Sequence, residues 1–459
     1  MPGTSPTALS SAPARRRVRP AHIAVVNLPM QGHVNPTLGV VAELVRRGHR
    51  VTYAITEEFT QAVKAAGAEP VVYPVRSDGS DAPERLAEGF ARAVHASLGS
   101  LPALTRAYAQ DRPDLVLYDV YGFAGLLLGA QWGVPTVLCS PTHMVYDGLF
   151  PEFFDGAGGL AELPGYDALA AAFAERGLDP ARIHEVERPG RAVAFLPRPF
   201  QRRADTVAAG RVAYVGPALG DRSYQGSWRP PRPDRPVYLV SLGSQFTRRP
   251  EFYRACVEAF GDLRAHVVMA VGPDVTPDLL GPLPDHVEVH AHVPQLAVLA
   301  HASVFVTHAG MGGTMEAVQH GVPMVAIPQM AEQRVNAGRI EDLGLGVHLP
   351  REQVTVGALR EAVLRVAQDP AVRAGLTALR TELARSGGAP AAADLVEDTL
   401  ETQQPTTGQP GPAPRKAARP DTGHPGAAGQ DAGQSGVAGL EAGQRAAVRL
   451  DAVEYGAAR

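Results

Sequence analysis

The stretch from Ser303 to Gln333, SVFVTHAGMGGTMEAVQHGVPMVAIPQMAEQ, limits what this chain can fold into more than any other. A short apolar run, Val304 to Val306, ends at Thr307 and His308. A glycine-rich turn follows at Gly310, Gly312 and Gly313, and a helical pattern begins at Thr314. Strand, glycine turn, helix is an α/β arrangement that brings bare backbone N–H groups up to a phosphate. The glycines permit close approach, and the helix N-terminus adds partial positive charge. His308 falls at the carboxyl end of the strand, where open α/β sheets bind ligands. Glu316, early in the helix, is within reach of a sugar hydroxyl beside that phosphate. A second apolar run, Met324 to Ile327, ends in Pro328 and then Glu332 and Gln333, two further hydroxyl-binding side chains. Together these pieces imply a nucleotide-sugar site. Gly310 to Gly313 taken alone read equally well as a tight turn before a helix, with each glycine supplying only positive φ.

Read as a whole, His292 to Gln333 resembles the donor signature of the family that transfers sugars from nucleotide sugars to small lipophilic acceptors, and within it the bacterial macrolide glycosyltransferases. The resemblance extends from about Ala21 to about Leu400. It implies a GT-B fold, two Rossmann-like α/β domains facing a central cleft. It also implies a donor site formed by Ser244, His292, Val293, Gln295, His308, Gly310, Gly312, Gly313, Thr314, Glu316, Glu332 and Gln333. Three positions depart from the family pattern. His292 stands where many relatives carry a Trp that stacks on uracil, so the base platform is smaller. Glu332–Gln333 replaces the usual Asp-Gln pair that reads the outer sugar hydroxyls, with the acid one methylene longer. Gly312–Gly313 replaces a common Asn-Ser, which leaves more of the phosphate binding to backbone.

Composition bounds the rest. With 459 residues, 45% of them hydrophobic, two compact domains plus tails are expected. A net charge of −4 gives no case for a nucleic-acid partner. Two cysteines, Cys139 and Cys256, sit in apolar contexts and cannot make a disulfide framework, which favours a reducing cytoplasm. The apolar run after Arg15–Arg17, Ile23 to Leu28, is too short for a signal core. No segment approaches the ~20 apolar residues of a membrane span. The expectation is a cytoplasmic protein without stable membrane insertion, a monomer or homodimer.

Residues 1–20 read as a disordered arm. A first domain, residues 21–215, opens with the strand His22–Leu28, a loop Pro29–Pro36, a helix Thr37–Arg47 ended by Gly48, and the strand Arg50–Ile55. The loop carries one glycine and not G-x-G-x-x-G, so an ordinary dinucleotide fingerprint is absent. Further strands are expected at Leu115–Leu117, ending in Tyr118 and Asp119, and at Thr136–Cys139, Ala192–Leu196 and Arg211–Val215. From Thr142 to about Asp179 periodicity weakens while Met144, Tyr146, Phe150, Phe153 and Phe154 crowd together. They read either as packing under a long loop or as the wall of an apolar acceptor pocket. Residues 216–236, rich in proline and carrying Trp228, form a linker. The second domain, 237–386, begins with the strand Val237–Ser241 and the turn Leu242–Gly243–Ser244. It continues through a helix, Glu251–Phe260, strands at His266–Val271 and His286–His290, and helical patterns at 353–369 and 371–386. Gly387–Gly388 breaks these before a last helix, Ala391–Leu400, within 387–402. In the resembled family that helix crosses back onto the first domain. The composition of 403–459 is that of a disordered tail, with a weak helical pattern near Val448–Tyr455.

Sugar transfer needs a base at the domain interface. His33, in Gly32-His33-Val34-Asn35-Pro36, follows the first strand, and Asp119 follows another strand of the same sheet. A buried Asp bonded to one imidazole nitrogen would orient His33 and fix its tautomer, leaving the other nitrogen to accept a proton from a hydroxyl. The resemblance assigns base and orienting acid to these two motif positions, although either residue alone reads as an ordinary loop or strand-end group. The expected reaction is one inverting displacement with the nucleotide diphosphate leaving. His308, Gly312, Gly313, Thr314 and Ser244 would stabilise the diphosphate. No Asp-x-Asp occurs in the sequence, so no bridging metal and no further cofactor is expected. The donor expected is UDP-glucose and the acceptor a macrolide or similar polyketide. A biosynthetic transferase using a dTDP-deoxysugar is one alternative, and a catalytically silent nucleotide-sugar-binding partner protein is another. Deleting the chain after about Gln404 should leave activity and melting temperature nearly unchanged; a melting-temperature drop of many degrees would show that the tail docks on the folded body.

Overall fold

Short runs of Val, Ile, Leu and Ala, punctuated by Gly, Pro and charged residues, become two all-parallel sheets in the computed structural model, which describes residues 19–74, 86–154, 156–208 and 210–402. The expected N-terminal arm up to residue 18, the tail from 403 and the weak helix near Val448–Tyr455 lie outside the described residues.

The first sheet and its helices follow the order β1 (His22–Val26), α1 (Gln31–Arg46), β2 (Arg50–Ile55), α2 (Thr60–Ala65), β3 (Glu69–Val72), α3 (Leu86–Ala107), β4 (Leu115–Asp119), α4 (Phe123–Trp132), β5 (Thr136–Ser140), α5 (Leu149–Phe153), α6 (Tyr166–Ala174), β6 (Ala192–Ala194) and β7 (Val212–Tyr214). The second runs β8 (Val237–Ser241), α7 (Pro250–Phe260), β9 (His266–Ala270), β10 (Val287–His290), α8 (Gln295–Leu299), β11 (Ala302–Thr307), α9 (Met311–His320), β12 (Met324–Ala326), α10 (Ala331–Asp342) and β13 (Gly346–His348). The helices α11 (Val356–Gln368), α12 (Pro370–Arg385) and α13 (Gly388–Thr402) close the described chain. The expected 192–196 and 211–215 strands are shorter than their apolar runs. The 142–179 stretch holds two short helices, α5 and α6, rather than a bare loop.

Strand order is β3-β2-β1-β4-β5-β6-β7 in one sheet and β10-β9-β8-β11-β12-β13 in the other. Each order reverses once, between β1 and β4 and between β8 and β11. At such a switch point the loops leaving the carboxyl ends diverge and open a crevice. Central strands are buried on both faces, as continuous apolar runs require. In β1, Ile23 and Val25 join a cluster with α1, α2 and α13, while Ala24 and Val26 join the opposite cluster with α3 and α4. No described helix is long and apolar enough to cross a membrane.

Two helices begin earlier than periodicity indicates. α1 starts at Gln31 and runs through Pro36, and α9 starts at Met311, so Gly312 and Gly313 lie in its first turn. First-turn residues need no intrahelical acceptor for their N–H, so glycine can stand there with no apolar signal.

The last helix, α13, lies on α1. Ala392, Ala393, Leu395, Val396 and Leu400 complete the apolar cluster behind β1. The Arg47 guanidinium clamps the contact, donating to Asp394 at 2.7 Å, Glu397 at 2.5 Å, the Pro390 carbonyl at 2.9 Å and Glu43 at 2.8 Å. Arg47→Ala would strand two carboxylates against α1. We expect a loss of about 3 kcal/mol, toward the low end for a broken buried pair because Asp394 keeps access to solvent. Urea denaturation checks it; a loss below about 0.5 kcal/mol would show that apolar packing alone holds α13.

Candidate active site

His33 stands in the first turn of α1, just beyond β1, and Asp119 is the last residue of β4, so the switch point of the first sheet brings them together. Asp119, 1% exposed, accepts a hydrogen bond from His33 Nδ1 at 2.7 Å. The same carboxylate accepts the Leu28 N–H at 3.1 Å and the Tyr121 N–H at 2.8 Å. A carboxylate so held is acceptor-only, so the imidazole proton sits on Nδ1 and Nε2 keeps its lone pair. The Tyr121 ring lies 5.6 Å from the His33 ring and flanks it. The pair can therefore take a proton from a hydroxyl at Nε2 and stabilise the resulting imidazolium.

The second switch point carries β8, β11 and the turn into α9. Ala309, between His308 and the helix, has φ +62°, a left-handed conformation rare for a side chain with a Cβ. Its carbonyl accepts from Asn336 Nδ2 at 2.9 Å. The His308 ring is wedged between two glycines: a Cβ at Gly310 would fall 2.4 Å from its Nε2, and one at Gly243 would fall 2.6 Å from its Cε1. Burial pushes His308 down to about 4, with the Ser241 backbone working against the shift, so the ring is neutral at physiological pH. Ser244 is exposed at the mouth of the β8 turn. The first backbone bond into α9 runs from Thr314 N to Gly310 O at 2.9 Å, so the N–H groups of Gly312 and Gly313 precede the helix ladder. Thr314 is fully buried, and its hydroxyl has no protein partner.

Glu316 is buried, and both oxygens already have protein donors: Arg222 Nη1 at 2.7 Å and Gln295 Nε2 at 2.6 Å. Arg222 comes from the stretch read only as linker, and nothing in its local pattern marks it. It lines a small cavity, about 20 Å³, with Pro36, Met311, Gly312 and Glu316, so α1 and the start of α9 share one hollow. His292 is exposed and Val293 half-buried ahead of α8.

Glu332 and Gln333 part company. The Glu332 carboxylate accepts from Thr142 Oγ1 at 2.8 Å and Asn336 Nδ2 at 2.9 Å. Burial pushes it above its ordinary value, opposed by those bonds and by the nearby His33. The sugar-reading candidate of one sheet thus lies within electrostatic reach of the base candidate of the other. Gln333 turns back on its own helix, its Oε1 accepting the Gln329 N–H at 2.8 Å. One amide atom of Gln333 is thus engaged by the backbone just ahead of α10, whereas Glu332 is held by side chains. Asn336 lies four residues after Glu332, on the same face of α10, a spacing that could have singled it out.

Met144, Tyr146, Phe150, Phe153 and Phe154 are all buried. Phe150 stacks on Phe154 at 5.7 Å, Phe154 meets Phe90 of α3 at 6.4 Å, and Phe90 meets Tyr121 at 6.2 Å. The rings make a continuous path ending at His33. Tyr146 and Phe150 also line a cavity of about 450 Å³, with Asp147, His184, Glu187 and Arg188 on its polar side. Among the described residues, no group of three or more His, Cys, Asp or Glu side chains is arranged to hold a metal ion.

Residues 254–401 match the family described as erythromycin biosynthesis protein CIII-like, C-terminal domain. The chain is 40% identical over 416 residues to the oleandomycin glycosyltransferase of Streptomyces antibioticus, covering 87% of this chain and 96% of that protein. The chain belongs to the macrolide-type glycosyltransferase family. A demethyllactenocin mycarosyltransferase of Streptomyces fradiae is 38% identical over 421 residues, covering 87% of this chain and 91% of its own. The crystal structure of the glycotransferase of kitacinnamycin superposes with a TM-score of 0.75 at 40% identity, over 83% of this chain and 100% of that one. The parallel-sheet pair described above is therefore the GT-B fold, and the transferase acts in natural-product glycosylation.

His143, on the loop after β5, is buried and stacks on Phe200 at 5.9 Å; burial pushes it down to about 3. Unfolded chain takes up protons on His143 and His308 near pH 6.5, whereas the folded transferase does so only near 3 and 4. Between those values the unfolded state binds more protons, so stability is full above pH 6.5 and falls with acid, by about 1.4 kcal/mol per pH unit for each ring. The raised Glu332 carboxyl works in the opposite sense. His143→Phe should flatten the fall between pH 6.5 and 4, read by thermal melts at several pH values; an unchanged slope would remove His143 from the titration.

Proposed function

We propose that the transferase moves glucose from UDP-glucose to a hydroxyl of a macrolide or similar lipophilic natural product, inactivating it as a self-resistance device. The observation that carries the reading is the His33–Asp119 pair at the first switch point, in the domain whose Thr142 also bonds Glu332 of α10. His33 Nε2 takes the acceptor's proton as its oxygen bonds to the anomeric carbon. The bond from that carbon to the diphosphate breaks, UDP leaves with the electron pair, and one displacement inverts the centre. Asp119 holds the imidazolium. The N–H groups of Gly312 and Gly313, neutral His308 and the Ser244 hydroxyl meet the growing charge on the diphosphate, with no metal required. Gln295 and Glu316 would take the ribose, with Glu316 exchanging Arg222 for sugar hydroxyls. His292 and Val293 would border the base. The Thr314 hydroxyl, buried without a protein partner in the same first turn as Gly312 and Gly313, would join their N–H groups at the diphosphate. The ring cluster from Tyr121 to Phe150 forms the apolar floor of the acceptor side.

Two observations favour a second reading. Gln333 is tied to Gln329, which weakens the case for a site reading every outer hydroxyl, and a mycarosyltransferase is among the relatives. That reading is a dTDP-deoxysugar transferase of polyketide biosynthesis. The two separate on kcat/KM for UDP-glucose against dTDP-glucose and a dTDP-6-deoxyhexose with one accepted acceptor. A fully hydroxylated donor should win by ~5–150-fold, the worth of a buried polar group left unpaired; a lead for the 6-deoxyhexose transfers the assignment to biosynthesis. His33→Ala should lower turnover by ~10²–10⁴-fold while UDP binding holds, and Asp119→Asn should also be slow. Near-normal turnover by folded His33→Ala would remove His33 from the mechanism.

A further inference from the structure

Asn336 is fully buried in α10, and one side-chain amide there ties together three parts of the molecule. Its Nδ2 gives one hydrogen to the Ala309 carbonyl at 2.9 Å and the other to Glu332 Oε1 at 2.9 Å. Its Oδ1 faces His143 Nε2 at 3.1 Å, across the cleft from the first domain. The proton assignment is determined. Arg202 N–H donates to His143 Nδ1 at 3.3 Å, so that nitrogen is the acceptor and the ring proton is on Nε2. His143 therefore donates to Asn336 Oδ1, and both Asn336 hydrogens are free for Ala309 and Glu332. Only a carboxamide offers two donors and an acceptor in that fork.

The partners belong to different jobs. Ala309 is the left-handed residue between His308 and the start of α9, so its carbonyl sets where His308 and the Gly312 and Gly313 N–H groups point. Glu332 also accepts Thr142 from the first domain. We propose that Asn336 is a positioning residue that locks the sugar-reading carboxylate in register with the diphosphate turn, and that His143 makes this register depend on the first domain being seated. The inference rests on Glu332 reading a donor hydroxyl, as in the function proposed above. Without the fork, Glu332 gains rotamers and the turn loses the bond that holds its carbonyl. The leaving group and the sugar would then be placed independently.

The test is donor discrimination at constant nucleotide: kcat/KM for UDP-glucose against UDP-galactose and UDP-6-deoxyglucose, each changing one outer hydroxyl, in wild type, Asn336→Ala and His143→Phe. Wild type should prefer UDP-glucose. Asn336→Ala should lose about 10-fold of that preference, and kcat should fall by up to ~10²-fold, with weaker binding of UDP alone because the Ala309 turn loses its bond. His143→Phe keeps the stack on Phe200 and Asn336 itself. It should lose a smaller part of the same preference, and it carries the test if Asn336→Ala does not fold. A variant that melts lower yet keeps the wild-type donor ratio would reduce Asn336 to a packing role and overturn the proposal. No preference in the wild type would overturn the glucose reading and this proposal with it. A wild-type preference that survives both substitutions overturns the proposal alone.

Discussion

The first N–H groups of an α-helix have no acceptor within the helix, and the second domain is arranged so that those of α9 meet the cleft rather than the core. The chain must leave β11 and start a helix within three residues, and a left-handed Ala309 makes the corner. A left-handed residue with a Cβ costs roughly 1–2 kcal/mol, so the corner persists only because its surroundings hold it. Thr307 Oγ1 accepts the Ala309 N–H, Asn336 caps its carbonyl, and Gly243 and Gly310 leave just enough room for the His308 ring. A neutral, enclosed imidazole is the consequence. It can donate a hydrogen bond to an anion without the burial penalty of a fixed charge.

The first domain solves a matching problem with opposite means. There the buried charge is Asp119, and three donors satisfy it, two of them backbone N–H groups of the loops that leave β1 and β4. The carboxylate therefore organises the loops as much as it orients His33. One sheet presents an imidazole held by an anion, the other presents helix dipole and neutral donors, and the proposed reaction would move negative charge from the first toward the second.

Most of the architecture was legible because parallel strands are uninterrupted apolar runs, and the α11 and α12 helices have clean periodicity with Asp369–Pro370 between them. His33, Asp119 and His308 were legible because each follows such a run. What escaped were residues whose meaning is set from elsewhere in the chain. Arg222 meets Glu316 from 94 residues away, and Thr142 meets Glu332 from 190 away; no local pattern encodes either contact. The glycine-rich start of α9 and the start of α1, up to Pro36 in its second turn, read as loops because helix starts carry no apolar period. The aromatic cluster after β5 stayed ambiguous in sequence for a physical reason: a ring that packs a loop and a ring that lines a pocket are the same residue types.

An apolar cluster runs through both domains, and several polar bonds cross between them beside it. Thr142 with Glu332, His143 with Asn336, Arg222 with Glu316, and Arg339 with the Pro199 and Phe200 carbonyls are all polar bonds. A net hydrogen bond contributes only about 1 kcal/mol, because water replaces the lost partner when the faces separate. α13 does the opposite work, joining apolar packing to the Arg47 clamp so that the far end of the second domain stays fixed to the first. In the function proposed above, a molecule pinned at α13 and bridged by exchangeable bonds across the cleft would admit its acceptor on the cleft side. In the reaction proposed above, those polar bridges would re-form around the donor, with Glu332 and Glu316 trading protein partners for sugar.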